Sequence, residues 1–194
     1  LLDGAALRGV VVALPPGAVA RERIAAEIGD SRVSVCTGGA TRAESVAAAL
    51  TALPAAEDDW VLVHDAARPC LPADDVRRLV ARVRDLAVGG ILAVPVTDTI
   101  KRVDPSSARV TDTIDRASLW RALTPQMFRV GELRRALDEA RAAGHAVTDE
   151  ASAMERAGYP VQVVEGSIAN IKVTYRDDLP LAAYWITQRH RESG

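Results

Sequence analysis

Cysteine is scarce in this sequence: Cys36 and Cys70 are the only two in 194 residues. They lack the spacing of metal ligands, so a disulfide framework and a thiolate metal site are both excluded, and they read as reduced, half-buried thiols. The three histidines are scattered, which points away from a zinc centre and from a His-based triad. An excess of one charge is missing as well: 24 Lys and Arg stand against 26 Asp and Glu, a net charge of −2. Without a basic stripe to neutralise phosphates, polymeric nucleic acid is excluded as a partner. No apolar run approaches a membrane span, and the first residues lack the charged start and apolar stretch of a signal peptide, so a cytoplasmic protein with no membrane partner is expected. Methionine is missing from position 1. The opening Leu1-Leu2-Asp3-Gly4 reads as mid-domain, with a segment expected upstream, whereas the polar run Gln188 to Gly194 reads as a natural terminus.

What is present is apolar residue, 48% of the chain, enough for the core of one domain over 1–194. Its centre is Trp60-Val61-Leu62-Val63-His64-Asp65-Ala66-Ala67-Arg68-Pro69, where an apolar run ends abruptly in charge. Trp60 to Val63 has the pattern of a strand covered on both faces in a mostly parallel sheet. Asp65 and Arg68 therefore stand just past its carboxyl end, the edge at which open α/β sheets bind ligands. An acid beside an arginine suits a divalent cation together with a phosphate. It equally suits a surface salt bridge in a turn.

In chain order, Gly9 to Leu14 reads as a strand and Val19 to Ile28 as an amphipathic helix. Arg32 to Cys36 alternates as a strand, Gly38-Gly39 turns, and Thr41 with Glu44 three residues later forms a capping box for a helix running to Leu53. Pro72 and Asp74 open a helix through Leu86, and Gly89-Gly90 leads into a strand at Ile91 to Val94. This alternation predicts a doubly wound α/β sheet. It breaks at about 96–117, where Thr99 to Val103 and Arg109 to Ile114 read as a β-hairpin across the turn Asp104-Pro105-Ser106-Ser107. A hairpin with so few apolar residues is unstable alone, so it is expected to rest on a second copy in a twofold dimer, the alternative being a hairpin folded back on its own domain. Further on, Val130 to Ala143 reads as a helix, Thr148 as the cap of a short helix from Asp149 to Ala157, Val161 to Val164 and Asn170 to Val173 as strands, and Arg176 to Arg189 as a closing helix turning Leu179, Ala183 and Ile186 inward.

Three further stretches carry chemistry. Gly38-Gly39-Ala40-Thr41-Arg42 feeds a helix N-terminus, whose unpaired N–H groups suit phosphates or base edges, although an ordinary β-to-α loop has the same form. Thr148-Asp149-Glu150 reads first as a capping sequence. Lys172 stands in an otherwise apolar strand, and a buried lysine needs a partner, either an anionic ligand or Asp65.

Together with Gly38-Gly39 to Ser45 and His64 to Pro69, the stretches Pro95 to Lys101, Arg116, Leu119-Trp120, Leu123 to Gln126, Thr148 to Ser152 and Asn170 to Thr174 stand in the order seen in the 2-C-methyl-D-erythritol 4-phosphate cytidylyltransferase family, which the chain resembles over essentially its whole length. The resemblance implies a Rossmann-like nucleotidyltransferase fold whose β-hairpin is a dimerisation arm. It implies transfer of the cytidylyl group of CTP to a sugar-alcohol phosphate with release of pyrophosphate, in a Mg²⁺-dependent homodimer. Asp65, Lys172 and Arg116 would be catalytic, with Asp65 the metal ligand. Gly38, Gly39, Ser45, Ala66 and Lys172 would bind the nucleotide. Ala66, Arg68, Thr124 and Thr148 would line the acceptor site, joined by Thr99 and Arg116 from the partner subunit. Ala40 departs from the acidic residue of some relatives. The glycine-rich triphosphate loop with which the family begins is not among these residues, so omission of that segment is expected. A similar ribitol-5-phosphate cytidylyltransferase is the alternative within enzymes, and a non-catalytic dimeric binding module the alternative outside them.

Overall fold

The structure, a computed structural model, describes residues 7–17 and 21–192. The elements in order are β1 (Val10–Leu14), α1 (Arg21–Ile28), β2 (Val33–Thr37), α2 (Arg42–Ala52), β3 (Trp60–Val63), α3 (Ala73–Leu86), β4 (Gly89–Pro95), β5 (Ile100–Val103), β6 (Val110–Ile114), β7 (Trp120–Arg129), α4 (Val130–Ala142), α5 (Glu150–Arg156), β8 (Val161–Glu165) and α6 (Asp178–Glu192). Val19, in the helix expected from position 19, lies outside the described residues, as does Leu1 to Gly4.

Local chemistry accounts for several of these boundaries. The Thr41 side chain accepts from the Glu44 N–H while the Glu44 carboxylate accepts from the Thr41 N–H, the reciprocal capping box that starts α2. Val76, Leu79 and Val83 recur on one face of α3 and are buried there. Gly89 and Gly90 open β4 because side chains would not fit: a Cβ on Gly89 would meet Phe128 Cδ1 at 2.2 Å, and one on Gly90 would meet Val83 Cγ2 at 2.8 Å.

The central sheet has the order β3-β7-β4-β8. β3, β4 and β8 run one way, and β7 lies antiparallel between β3 and β4. A separate parallel pair joins β1 to β2, from Val10↔Val33 to Leu14↔Thr37. One face of the central sheet packs against α3 through Leu79, Val83, Leu92, Leu123 and Met127. The opposite face packs against α2, α4 and α5 through Leu50, Phe128, Leu133 and Met154. Helices on both faces of a mostly one-way sheet make the α/β class. β3 is covered on both sides as expected, Trp60 and Leu62 against one cluster and Val61 and Val63 against the other.

β7 is the strand that sequence reasoning omitted. Its stretch carries Arg121, Thr124, Pro125 and Gln126, and a proline without an N–H argues against a central strand. The structure accommodates it at an irregularity, where the β4–β7 register passes from Ile91↔Gln126 to Ala93↔Ala122 and the ladder is broken beside Pro125.

Other expectations need correction. Residues 170–173 form no strand; Val173 donates to the Ala67 carbonyl at 2.8 Å and otherwise this is irregular chain. Asp149, not Thr148, caps α5, accepting from the Ser152 N–H, because it is the residue immediately before the first turn and its carboxylate reaches that N–H. On α6 the inward residue is Ala182, with Leu179 and Ala183 exposed and Ile186 partly covered. The helix begins at Asp178, two residues later than the pattern implied. Both cysteines are buried rather than half-buried, and burial pushes the Cys70 thiol up.

The hairpin is present, β5 pairing with β6 from Ile100↔Ile114 to Val103↔Val110. Its turn is organised by Asp104, whose carboxylate accepts from Ser106 and Ser107 and is held down to a pKa of about 2 by those bonds. Val103 and Val110 are exposed on it.

Candidate active site

The carboxyl end of β3 delivers Asp65 into a cluster assembled from four distant stretches. Arg42, the first residue of α2, donates from Nε to Asp65 Oδ1 at 2.9 Å. Lys172 Nζ lies 3.2 Å from Asp65 Oδ2, and Arg68 Nε lies 3.7 Å from the same oxygen. Burial raises the Asp65 carboxyl, but the hydrogen bond and charge of Arg42 and the charge of Lys172 outweigh it and hold the carboxyl below its usual range. Lys172 thus has the partner the sequence demanded, although its side chain is 48% exposed rather than buried in a strand.

Beneath Asp65 the hydrogen bonds determine one another. His64 Nε2 lies 3.0 Å from the Arg68 carbonyl, which can only accept, so Nε2 carries the proton. Nδ1 must then accept from the Thr124 hydroxyl at 2.9 Å, and the same hydroxyl oxygen accepts from the Asp65 N–H at 3.1 Å. Burial, against the pull of the Arg68 carbonyl and the Asp65 charge, lowers the His64 pKa and favours this neutral tautomer. Thr124 is 4% exposed; it supports Asp65 and His64 from below. Asn170 donates to the Thr124 carbonyl at 2.7 Å, and Arg68 donates to the Asn170 carbonyl at 2.9 Å. Among the described residues, Arg68 Nε and Asn170 Oδ1 are the buried side-chain atoms without a hydrogen bond. Both belong to this cluster, where polar atoms are held ready for a further partner.

The glycine turn approaches from α2. Gly39 N–H donates to Ser45 Oγ at 3.2 Å, and the Ser45 hydroxyl donates to the Thr41 carbonyl at 2.9 Å. A Cβ on Gly39 would fall 2.2 Å from Glu44 Cβ, and one on Gly38 would fall 2.6 Å from Ser45 Oγ. Both glycines are therefore required by close approach. Ala66 follows Asp65 in the same loop. Thr148 precedes the α5 cap and is exposed, its hydroxyl donating to Ser152 Oγ at 3.5 Å. Thr99 and Arg116 are exposed on the arm, with Arg116 donating to the Thr97 carbonyl. The chain brings Asp65, Arg68, Thr124 and Lys172 together, whereas neither Thr99 nor Arg116 shares a hydrogen bond or ion pair with them among the described residues.

Two participants were given no role of their own by sequence reasoning. Arg42 entered only as the end of the glycine turn and Glu150 only as part of a capping sequence, yet Arg42 grips Glu150 with two bonds, of 2.6 and 2.9 Å. The available signal was dipolar: a cation in the first turn of a helix is in the unfavourable place.

This is an arrangement for polyanions: one carboxylate in a ring of two arginines and a lysine at the ligand-binding edge of the sheet. Among the described residues, no three of His, Cys, Asp and Glu gather to cage a metal. A single carboxylate completed by substrate phosphates is, however, the usual environment of Mg²⁺, and Asp65 fits it.

The family model described as 2-C-methyl-D-erythritol 4-phosphate cytidylyltransferase, IspD, matches residues 1–188. The chain belongs to that family. A member from Bordetella petrii is 50% identical over 96% of this chain and 81% of its own length. One from Bordetella pertussis is 56% identical over 77% of this chain, a match that spans 64% of the relative's length. The solved Francisella tularensis 2-C-methyl-D-erythritol 4-phosphate cytidylyltransferase superimposes with a TM-score of 0.80 at 37% identity, covering 95% of this chain and 83% of its own. A crystal structure of 4-diphosphocytidyl-2C-methyl-D-erythritol synthase gives 0.82 at 38% identity, covering 94% and 84%.

Proposed function

We propose that this chain catalyses the reaction for which its family is named, transferring the cytidylyl group of CTP to 2-C-methyl-D-erythritol 4-phosphate. The observation that carries the reading is the convergence of Arg42, Arg68 and Lys172 on Asp65 at the carboxyl end of β3, in a member of that family. An oxygen of the acceptor phosphate attacks the α-phosphorus of CTP. The α–β bridging P–O bond breaks, and pyrophosphate leaves with its electron pair, giving 4-diphosphocytidyl-2-C-methyl-D-erythritol.

A phosphate monoester has its second pKa near about 6, so at neutral pH the nucleophile needs no general base. That agrees with a His64 whose two nitrogens are committed to Arg68 and Thr124. The site's task is to align two polyanions and balance the charge that develops on the α-phosphate and pyrophosphate. Lys172 and Arg68 supply positive charge to phosphate, and Gly38, Gly39, Ser45 and Ala66 form the nucleotide side. Asp65 would hold Mg²⁺, which when bound supplies further charge neutralisation at the phosphates. Thr148 lines the acceptor side, and Thr124 acts by holding Asp65.

The exposed arm suits a twofold dimer in which Thr99 and Arg116 reach the acceptor phosphate bound by the other subunit. The catalytic unit is one domain with the arm inserted, working in the cytoplasm; among the described residues no helix is long and apolar enough to cross a membrane. Incubation with CTP, Mg²⁺ and either acceptor, followed by mass spectrometry of products, tests the reading. Pyrophosphate and the cytidyl diphosphate of methylerythritol are expected, and conversion of ribitol 5-phosphate instead would overturn the acceptor assignment.

A further inference from the structure

We infer that Glu150, acting through Arg42, is a positioning residue for Asp65. The inference deepens the proposed cytidylyl transfer and rests on it. Glu150 is 0% exposed, and a buried carboxylate is expensive unless tightly paired. Its partner is the Arg42 fork, with Nη1 to Oε1 at 2.6 Å and Nη2 to Oε2 at 2.9 Å. The remaining edge of that guanidinium, Nε, donates to Asp65 Oδ1 at 2.9 Å. One planar group with fixed donor directions thus binds two carboxylates, and where Glu150 holds it decides where Oδ1 rests.

Glu150 is itself held from behind. Buried Gln126 donates to Asp149 Oδ2 at 2.9 Å and accepts from the Ala151 N–H at 2.8 Å, tying the first turn of α5 to β7 on both sides of Glu150. The chain of support therefore runs from the sheet, through α5 and Arg42, to the carboxylate at the end of β3.

Helix α2 does not explain Arg42 locally, whereas a carboxylate such as Glu150 suits the first turn of α5. Arg42 opposes the α2 dipole, so its position answers to the long-range pair. A pair serving stability alone would be matched by apolar residues of similar volume, since buried ion pairs are weak stabilisers. This one instead ends on Asp65, the carboxylate that Arg42, Arg68 and Lys172 share, and it joins the glycine-turn helix to the Thr148–Glu150 segment. Fixing Asp65 to the same guanidinium that joins these two sides keeps nucleotide and acceptor in register.

The test compares the intact protein with E150Q, E150D, R42K and the E150Q/R42K double variant, measuring kcat, KM for CTP, melting curves and CTP binding by calorimetry without acceptor. E150Q is expected to lower kcat about 10- to 100-fold, the range for outer residues that orient a site's ligands, with CTP affinity and a cooperative melt retained. R42K should do no better than E150Q, because one ammonium cannot replace the fork. The double variant should lie within about twofold of the worse single variant rather than multiplying the losses, since the residues act in series. E150D, which keeps the charge, should recover part of the activity, and it carries the test if E150Q does not fold. A kcat for E150Q within about twofold of the parent, the same for E150D where E150Q does not fold, or multiplying losses in the double variant, would overturn the inference. A parent protein that releases no pyrophosphate overturns both this inference and the function on which it rests.

Discussion

The Asp65 cluster and the β5–β6 arm both gather charged and hydroxyl side chains, but under opposite conditions. Around Asp65 the groups come from positions 42, 65, 68, 124, 150, 170 and 172, and nearly every polar atom is spoken for by another member. On the arm the polar bonds are local, as in the Asp104 turn and the Lys101–Thr113 pair at 2.6 Å across the hairpin. Its apolar residues Val103 and Val110 face outward. The difference separates a cluster packed from distant stretches of the chain from a surface whose polar bonds stay local.

Asp65→Asn strikes the completed region directly. Turnover should fall on the order of 100- to 1,000-fold, as when a preorganised group is removed from a developing charge, while circular dichroism remains that of the parent. Near-normal turnover with Mg²⁺ present would remove Asp65 from the metal assignment. A smaller effect joins the two regions. Asp65→Asn and Arg116→Ala subunits, each inactive alone, should recover about a quarter of parental activity after mixing, because half of random dimers are hybrids and each hybrid keeps one of its two sites. Mixed dimers seen by native mass spectrometry without recovery would confine the site to a single subunit.

The smallest expected effect distinguishes how two carboxylates are held down, Asp65 by cations and Asp104 by hydroxyl and N–H donors. A lowered folded-state pKa contributes stability that is complete above the unfolded value of about 3.9 and lost as pH falls through the folded value. The difference in urea midpoint between parent and Asp65→Asn should therefore stay constant down to about pH 4 and shrink below it. A difference that already declines between pH 7 and 5 would contradict a carboxyl held low.

What could be read from the sequence follows the range of the interactions. The capping box at Thr41 and Glu44, the hairpin turn at Asp104 to Ser107 and the charged end of β3 depend on residues within a few positions of one another, and each appears where the pattern placed it. β7 was illegible because its polar residues and Pro125 are justified only by what surrounds them: Thr124 by His64, Gln126 by the first turn of α5, and Pro125 by a break in the ladder. The Arg42–Glu150 pair spans 108 positions, and no local period reveals it. Lys172 was given Asp65 as one of two possible partners and the wrong setting, since Ile171 and Val173 alternating around it resemble a strand even where the chain joins no ladder.

The way the arm leaves the sheet has a consequence for redesign. Pro95 pairs with Trp120, and the Val96 N–H donates to the Leu119 carbonyl at 3.0 Å, so the chain departs and returns at adjacent points of one antiparallel ladder. Residues between them are topologically silent: replacing them with a short turn would convert β4 and β7 into an ordinary hairpin without changing any strand's neighbour. The arm can thus be lengthened, shortened or exchanged as a module, leaving the Asp65 end of β3 on an unaltered scaffold.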